Sequence, residues 1–462
     1  MIRLAVLLAL VVVLTAAGID LGNLFDYAGQ AVPNYIQQDN TPSDNPINNL
    51  QATVGRVLFY DQALSLNNTV SCATCHQQAM AFGDSARQSI GFDGGLTSRH
   101  SMRLVNVRFS ENARMFWNQR ANNLEEQATQ PIQDHGEMGF SGTLGQPGID
   151  SLLRRMASLP RYQRLWPEAF GTDIITEEHL QRAIAQFVRS IQSFDSRFDE
   201  GLAQVGAVTD DFPNFTNQEN LGKSLFLRTP RGANCASCHR PPEFDIEPFS
   251  HNNGITTNLL NPTEQDLTNT RTPTLRDLAA PDGTPNGPFM HDGSLPTLLS
   301  VIEHYDDIEA NIGIDRRLVD SEGNGQELNL SDQQKNALVA FLRTLTGQRM
   351  YTEEAYADPF EADGSLVIDE VSSIAEVTDN LRLSLSPNPI RFGESLTSAQ
   401  LNVPLGVYQV HIVTLSGKHV TSFQAAGPRI ALPDLVLTPG TYLVRAEDSQ
   451  TGRWGATQLL VQ

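Results

Sequence analysis

Cysteine is scarce in this chain: four residues among 462, at positions 72, 75, 235 and 238. A fold stapled by many disulfides is therefore excluded, and an ordinary hydrophobic core has to hold it. Long apolar runs are scarce too. After Leu14 no segment approaches the length that spans a bilayer. Basic residues are in deficit, 32 Lys and Arg against 53 Asp and Glu, for a net charge of −21. That excludes nucleic acid and anionic membrane surfaces as partners. What remains, 40% hydrophobic and 18% charged residues, describes a globular protein of about three domains.

The first residues, "MIRLAVLLALVVVLTAAG", place Arg3 before an apolar run and close on Thr15-Ala16-Ala17. This pattern predicts a secretory signal peptide over 1–17, the alternative being a retained N-terminal anchor. No cysteine follows the run, which excludes a lipoprotein. The expected location is exported: periplasm, cell surface or medium.

Residues 18–45 are polar and read as an extended arm. Two similar stretches follow, one leading to "CATCH" at 72–76 and one to "CASCH" at 235–239. Gly55, Phe59 and Cys72 in the first match Gly222, Phe226 and Cys235 in the second, so one small helical module is duplicated. Leu180, Ile184, Phe187, Ile191 and Phe194 form one apolar helix face at steps of four and three. Ser331 and Gln334 form a capping box for a last helix with Leu338, Phe341, Leu342 and Leu345 facing inward and Gly347 as its stop. From 351 to 379 the chain reads as an acidic linker. Beyond it, alternation at Tyr408, Val410, Ile412 and at Tyr442, Val444, Ala446, between the turns "SPNP", "LSGK" and "TPGT", predicts a β-sandwich over 380–462.

All four cysteines thus lie in two Cys-x-x-Cys-His motifs. Such a motif sets two thiols about a turn apart, matched to the vinyl groups of haem, with the histidine placed to bind iron from below. Cys72, Cys75 and His76 would hold one covalent c-type haem, and Cys235, Cys238 and His239 a second. A four-cysteine zinc site and a pair of local disulfides are the alternatives. Distal candidates lie in "MFWNQRANNLEEQATQPIQDHGEMGF": Trp117, Gln127, Pro131, His135 and Glu137.

The tandem haem motifs, the stretch "FWNQRANNLEEQATQPIQDHGEMG" and the later "TRTPTLRDL" and "FMHDG" resemble the bacterial diheme cytochrome c peroxidase and MauG superfamily across residues 45 to 350. The resemblance implies a mainly α fold with two c-type cytochrome domains in tandem. The first, 46–210, would carry the peroxidatic haem, and the second, 211–350, an electron-transfer haem. It also implies Gln127, Pro131 and Glu137 as the distal set and Trp117 as the residue between the haems. A calcium ion between the domains belongs to the same pattern, with the carbonyls of Asn286 and Pro288 as candidate ligands.

Three departures matter. Many members cap the resting peroxidatic iron with a histidine in a "SIGH"-like loop; here "SIGFDGG" has Phe92, which cannot bind iron. The first haem should then be open, unless His100 or His135 substitutes. His100 also stands where a calcium-binding asparagine is usual, and imidazole suits that hard ion poorly. Finally, the position fourteen residues past His291, where the ordinary peroxidases carry a methionine ligand to the second haem, is Tyr305. This resembles MauG, which has tyrosine there. Met290 and His304 are the rival ligands.

These features imply a peroxidase that reduces hydrogen peroxide with electrons from a small cytochrome c or a cupredoxin. A MauG-like oxidase acting on a protein or small organic substrate and a plain diheme electron carrier are the alternatives. The family often forms dimers, so a homodimer is one option. The C-terminal sandwich resembles a type IX secretion sorting domain, which implies that secretion machinery as a partner; a carbohydrate- or protein-binding β-module is its alternative.

Overall fold

The computed structural model describes residues 18–228, 232–246, 248–369, 383–414, 419–449 and 454–462. The expected signal segment, residues 370–379 of the expected linker, residues 380–382 of the expected sandwich and the "LSGK" turn lie outside them. The chain divides into two compact units, one up to Ile368 and one from Asp369 onward.

The first unit is mainly helical. Its first half runs through α1 (Asn49–Tyr60), α2 (Cys72–Cys75), α3 (Leu124–Thr129), α4 (Ile149–Ala157), α5 (Pro160–Phe170) and α6 (Glu177–Ser190). Its second half runs through α7 (Arg197–Leu202), α8 (Asn217–Leu227), α9 (Leu298–Asp306) and α10 (Asp332–Arg343). Each half has its own core. Val57, Leu58 and Phe59 of α1 meet Leu165 and Trp166 of α5 and Ile184 and Phe187 of α6. Phe226 of α8 meets Leu298 and Ile302 of α9 and Leu338 and Phe341 of α10.

The two halves repeat one helix crossing. At Gly55 an added Cβ would collide with the Ala183 carbonyl and lie 2.9 Å from Phe187 Cβ. At Gly222 it would collide with the Ala337 carbonyl and lie 2.8 Å from Phe341 Cβ. In both, a glycine on the opening helix lets backbone touch backbone, next to an Ala and a Phe one turn apart on the closing helix. The sequence repeat is thus a repeat of packing.

Three expectations change. The α6 stripe ends at Ser190 and does not reach Phe194, because the Asn106 N–H takes the Ile191 carbonyl and the chain turns extended. Phe194 instead packs edge-on against Phe109, with ring centroids 4.9 Å apart. The closing helix likewise ends at Arg343, before Gly347, whose N–H donates to Asp277. The arm and the start of the linker are docked segments. Tyr27 is fully buried and its hydroxyl donates to the Ala355 carbonyl, while the Tyr356 hydroxyl donates to the Ser190 carbonyl. Two short strands, β1 (Ile19–Asp20) and, later in the chain, β4 (Ile368–Asp369), pair with each other, and β2 (His239–Arg240) pairs with β3 (Asp245–Ile246). Composition marked these segments as polar, but a few aromatic anchors decide their place.

The second unit is a two-sheet sandwich. Strands β5 (Ser384–Ser386), β6 (Gln400–Asn402) and β9 (Arg429–Ala431) form one sheet in the order β5-β6-β9. The other, ordered β11-β10-β7-β8, is built from β7 (Val407–Thr414), β8 (His419–Ala426), β10 (Gly440–Asp448) and β11 (Trp454–Val461). Tyr408, Val410, Ile412, Val444 and Ala446 fill the space between the sheets, as their alternation requires.

Gly222→Ala is expected to destabilise the haem-loaded protein by about 1–3 kcal/mol, since a backbone carbonyl cannot move aside as a side chain could. Helix propensity alone argues the other way, by about 1 kcal/mol. A thermal melt decides: a Tm at or above the parent's rejects the close crossing.

Candidate functional site: two cavities with a common wall

Local chain chemistry builds each Cys-x-x-Cys-His turn. In the first, Cys72–Cys75 is a single helical turn opened by a Ser71–Thr74 capping box, and His76 ends it. The His76 Nδ1 sits 3.0 Å from the Phe82 carbonyl. A carbonyl only accepts, so Nδ1 carries the proton and Nε2 keeps a free lone pair. In the second, Asn234 adopts a left-handed conformation, φ 54°, that starts the turn Cys235–Ser237, and His239 enters β2. Burial lowers the basicity of His76 and pushes His239 down to about 4, helped by the Arg317 charge. Both rings are therefore neutral, the form that binds a metal.

Each turn faces a cavity. Cys72, Cys75, His76, Gln127, Pro131, Glu137 and Trp117 line the first; Cys235, Cys238, His239, Met290, Tyr305 and Trp117 line the second. No disulfide joins the four cysteines, and each pair faces its own cavity. Among the described residues no three His, Cys, Asp or Glu side chains gather around a metal position. Burial pushes the Cys72 thiol up to about 12 and the Cys75 thiol up to about 11. A mostly apolar cavity beside two thiols and a neutral imidazole fits covalent haem, twice over, with the His76 ring oriented by the Phe82 carbonyl.

In the first cavity the distal groups come from α3 and the loop after it. Asn123 caps α3, and a two-pronged pair from Arg189 to Glu125, with one prong at 2.8 Å, fixes that helix on α6. Glu137 follows in a loop tied by its own N–H to Asp134 at 3.0 Å. Its carboxyl is pushed up to about 7 by burial and by Asp134, against the lowering pull of Arg120. The "SIGFDGG" loop lies on top: the Phe92 N–H donates to the Glu137 carbonyl, and Gly91 passes where a Cβ would strike the Gly136 carbonyl. The Phe92 ring points at Gly139 and Leu66 and does not line the cavity. His135 is exposed and does not line it either. His100 does line it, with its Nδ1 2.9 Å from the Ala86 carbonyl.

In the second cavity Asn253 Nδ2 donates both to Tyr305 Oη at 3.1 Å and to Met290 Sδ at 3.2 Å. Burial raises the Tyr305 hydroxyl far above an ordinary phenol, while the Asn253 hydrogen bond pulls it down. His304 turns aside, its Nε2 2.9 Å from the Asn253 carbonyl, and His291 Nε2 lies 3.0 Å from the Thr257 carbonyl.

One wall borders both cavities: residues 100–103 with Trp117, Arg271 and Pro273. The Trp117 indole N–H donates to the His100 carbonyl at 2.8 Å, and the His100 N–H donates to the His291 carbonyl at 2.7 Å. Asn286, expected at a calcium site, uses its carbonyl to accept from Arg103 Nη1 at 3.4 Å; Pro288 lines the second cavity. Two charged residues escaped the sequence reading, Arg120 and Arg103. Arg120 sits inside the stretch that carries the distal candidates but was passed over there, and Arg103 lies in no recognisable motif, so that only the fold brings it to the cavities.

The model of the family "Di-haem cytochrome c peroxidase" matches residues 49–205. The methylamine utilization protein MauG of Methylophilus methylotrophus is 31% identical over 313 residues, 66% of this chain and 85% of that protein. Cytochrome c551 peroxidase of Nitrosomonas europaea is 28% identical over 72% of this chain and 90% of its own. Among solved structures, a MauG-like protein associated with microbial copper homeostasis superposes with a TM-score of 0.58 at 28% identity, covering 71% of this chain and 98% of that one. With two haem motifs facing two cavities and relatives of this kind matched over most of their length, the chain belongs to the di-haem cytochrome c peroxidase and MauG family.

Proposed function

We propose that the protein is an exported diheme peroxidase that reduces hydrogen peroxide to two waters, taking two electrons and two protons per turnover from outside. One observation carries this reading: Gln127, Pro131 and Glu137 border the same cavity as the Cys72–Cys75–His76 turn. A plain electron carrier has no use for a buried carboxyl at that place. When bound, haem supplies the iron at which peroxide is cleaved and through which electrons pass. Glu137 takes the proton from the near peroxide oxygen and returns it to the far one, which leaves as water. Gln127 orients the peroxide by its amide, and Pro131 narrows the space above it. Trp117, on the wall of both cavities, lies on the route by which electrons cross from the second domain.

On this reading nothing caps the cavity above His76: Phe92 and His135 do not line it, and His100, which does, is taken as a wall residue held with its Nδ1 2.9 Å from the Ala86 carbonyl. The fully oxidised protein then reacts with peroxide without prior reduction. In this reading the first unit contains the two tandem cytochrome domains, 46–210 and 211–350, that take one haem each. Electrons come from a small cytochrome c or a cupredoxin.

A second reading is favoured by one specific residue. Tyr305, held by Asn253, suits ferric iron as a phenolate, whereas the thioether of Met290 suits ferrous iron. A second haem held by Tyr305 stores an electron poorly and supports instead a MauG-like oxidation of a protein or small organic substrate. The β-sandwich unit is proposed as a type IX sorting domain, supported by its separation from the first unit and its terminal strand "GATQLLVQ". No helix among the described residues is long and apolar enough to cross a membrane.

Glu137→Gln is expected to slow the stopped-flow reaction of the ferric protein with peroxide by about 10²–10⁴-fold. Because the Glu137 carboxyl is raised to about 7, its base form appears only as pH rises through that value. The parent rate should climb with pH around 7 and the Gln variant should show no such limb; an unchanged rate removes Glu137 from the chemistry.

Tyr305→Met is expected to raise the midpoint potential of the second haem and leave the first nearly unmoved, as read by spectroelectrochemical titration. Equal potentials in parent and variant would mean that Tyr305 is not the ligand. Deleting 380–462 should leave haem content and peroxide reactivity intact and trap the protein inside the cell envelope. Unchanged appearance in the medium would reject the sorting role.

A further inference from the structure

Arg103 lies on the wall that both cavities share, and its hydrogen bonding is incomplete. A guanidinium has five N–H donors in a rigid fork, always charged. Here Nη1 reaches the Asn286 carbonyl and Nη2 the Thr274 carbonyl, each at a long 3.4 Å. Nε is sealed from solvent with no partner. The Phe289 ring lies 5.9 Å from the guanidinium carbon. The nearby acid, Asp277, makes no ion pair with it: its Oδ1 accepts from the Gly347 N–H at 2.9 Å and the Tyr351 hydroxyl at 3.1 Å, and its Oδ2 is buried with no partner. A buried, under-satisfied cation of this kind is costly unless an anion completes it.

The same contacts bear on calcium. The Asn286 carbonyl, a candidate ligand, already accepts from Arg103, and the asparagine position is His100. A divalent ion would stand against a fixed guanidinium. One acceptor there stays unpartnered, the buried Asn286 side-chain oxygen, but a single neutral oxygen beside a guanidinium falls far short of the roughly six to eight oxygens calcium takes, so the residues present do not fit calcium.

We propose that Arg103 is a built-in cation for both haem sites: it receives haem carboxylate side chains from either cavity and takes over the place where the family resemblance leads one to expect calcium. Arg103 is thus a positioning and tuning residue, not a catalytic one. The inference rests on the reading that each cavity holds a haem, and the test separates the two.

Haem content is counted first, by the pyridine haemochrome method on the full-length holoprotein. Fewer than two haems per chain overturns the parent reading and, with it, this one. With two haems present, both midpoint potentials are measured for the parent, R103K and R103M. Removing a nearby positive charge favours the ferric state. R103M should therefore shift both reduction equilibria at least tenfold toward ferric, about 59 mV per one-electron couple. R103K, which keeps the charge, should stay within about threefold of the parent. A shift of neither haem, or of one alone, overturns the shared role. A second readout needs no variant. The parent, dialysed against a chelator and then titrated with calcium, should show no change in spectrum or potential and no stoichiometric calcium by elemental analysis. One calcium per chain, or a chelator-sensitive potential, overturns the proposal even where R103M fails to fold.

Discussion

The organisation of the first unit turns on a pair of backbone hydrogen bonds in one short segment. His100 donates its N–H to His291 and accepts from the Trp117 indole with its carbonyl. Because His100 and Trp117 belong to the first half of the unit and His291 to the second, the bond to His291 joins the halves while the bond from Trp117 fixes the indole against residues 100–103. They set a partition one chain thick between two large cavities. A thin partition has a consequence for charge. Any side chain in it acts on both sides, and low-polarity surroundings weaken that action little with distance. With a haem in each cavity, as proposed, Trp117 would shorten the path between the two redox centres and Arg103 would bias both.

The cavities themselves come from a different constraint. The glycine crossings at Gly55 and Gly222 draw an opening helix and a closing helix so near that one face of each is used up by backbone. The Cys-x-x-Cys-His turn that follows each opening helix lines the cavity of its own half. This is why a repeat visible as Gly, Phe and Cys in order translates into two sites of the same build. The distal furnishings differ because they come from loops outside the repeat: α3 and the 134–139 loop on one side, α9 and the Asn253 segment on the other.

What the sequence discloses follows from the range of the forces involved. Haem attachment was legible because covalent chemistry demands fixed spacing in a contiguous motif. The sandwich was legible because a half-buried strand alternates, and Tyr408, Val410 and Ile412 do so plainly. Helix ends were less so. Phe194 continues the periodic stripe of α6, yet a loop N–H from Asn106 competes for the carbonyl of Ile191 and wins. The arm and linker carry too few apolar residues to announce a docking site, although Tyr27 and Tyr356 suffice for one. Arg103 was illegible for the strongest reason. Its meaning depends on Asn286, Thr274 and Asp277, all more than 150 residues away, and no local pattern encodes such a meeting.

The second cavity poses a charge problem that narrows what can fill it. Tyr305 is buried, and burial alone holds its hydroxyl neutral. Asn253 offers it a hydrogen bond from an N–H, which stabilises an anionic oxygen more than a neutral one. That donor is also shared with the Met290 sulfur, a weak acceptor that competes little for it. The imidazole across the cavity, His239, is driven neutral by its surroundings and brings no positive charge. A phenolate in this place therefore needs a cation inside the cavity, and a ferric iron between Tyr305 and His239 would be one. With Tyr305 as the proposed ligand, the site would favour the oxidised metal twice, by the charge of the ligand and by the cost of leaving that charge unpaired when an electron arrives. A methionine ligand would carry neither penalty, so the choice between Tyr305 and Met290 is at bottom a choice of which oxidation state the pocket is built to hold.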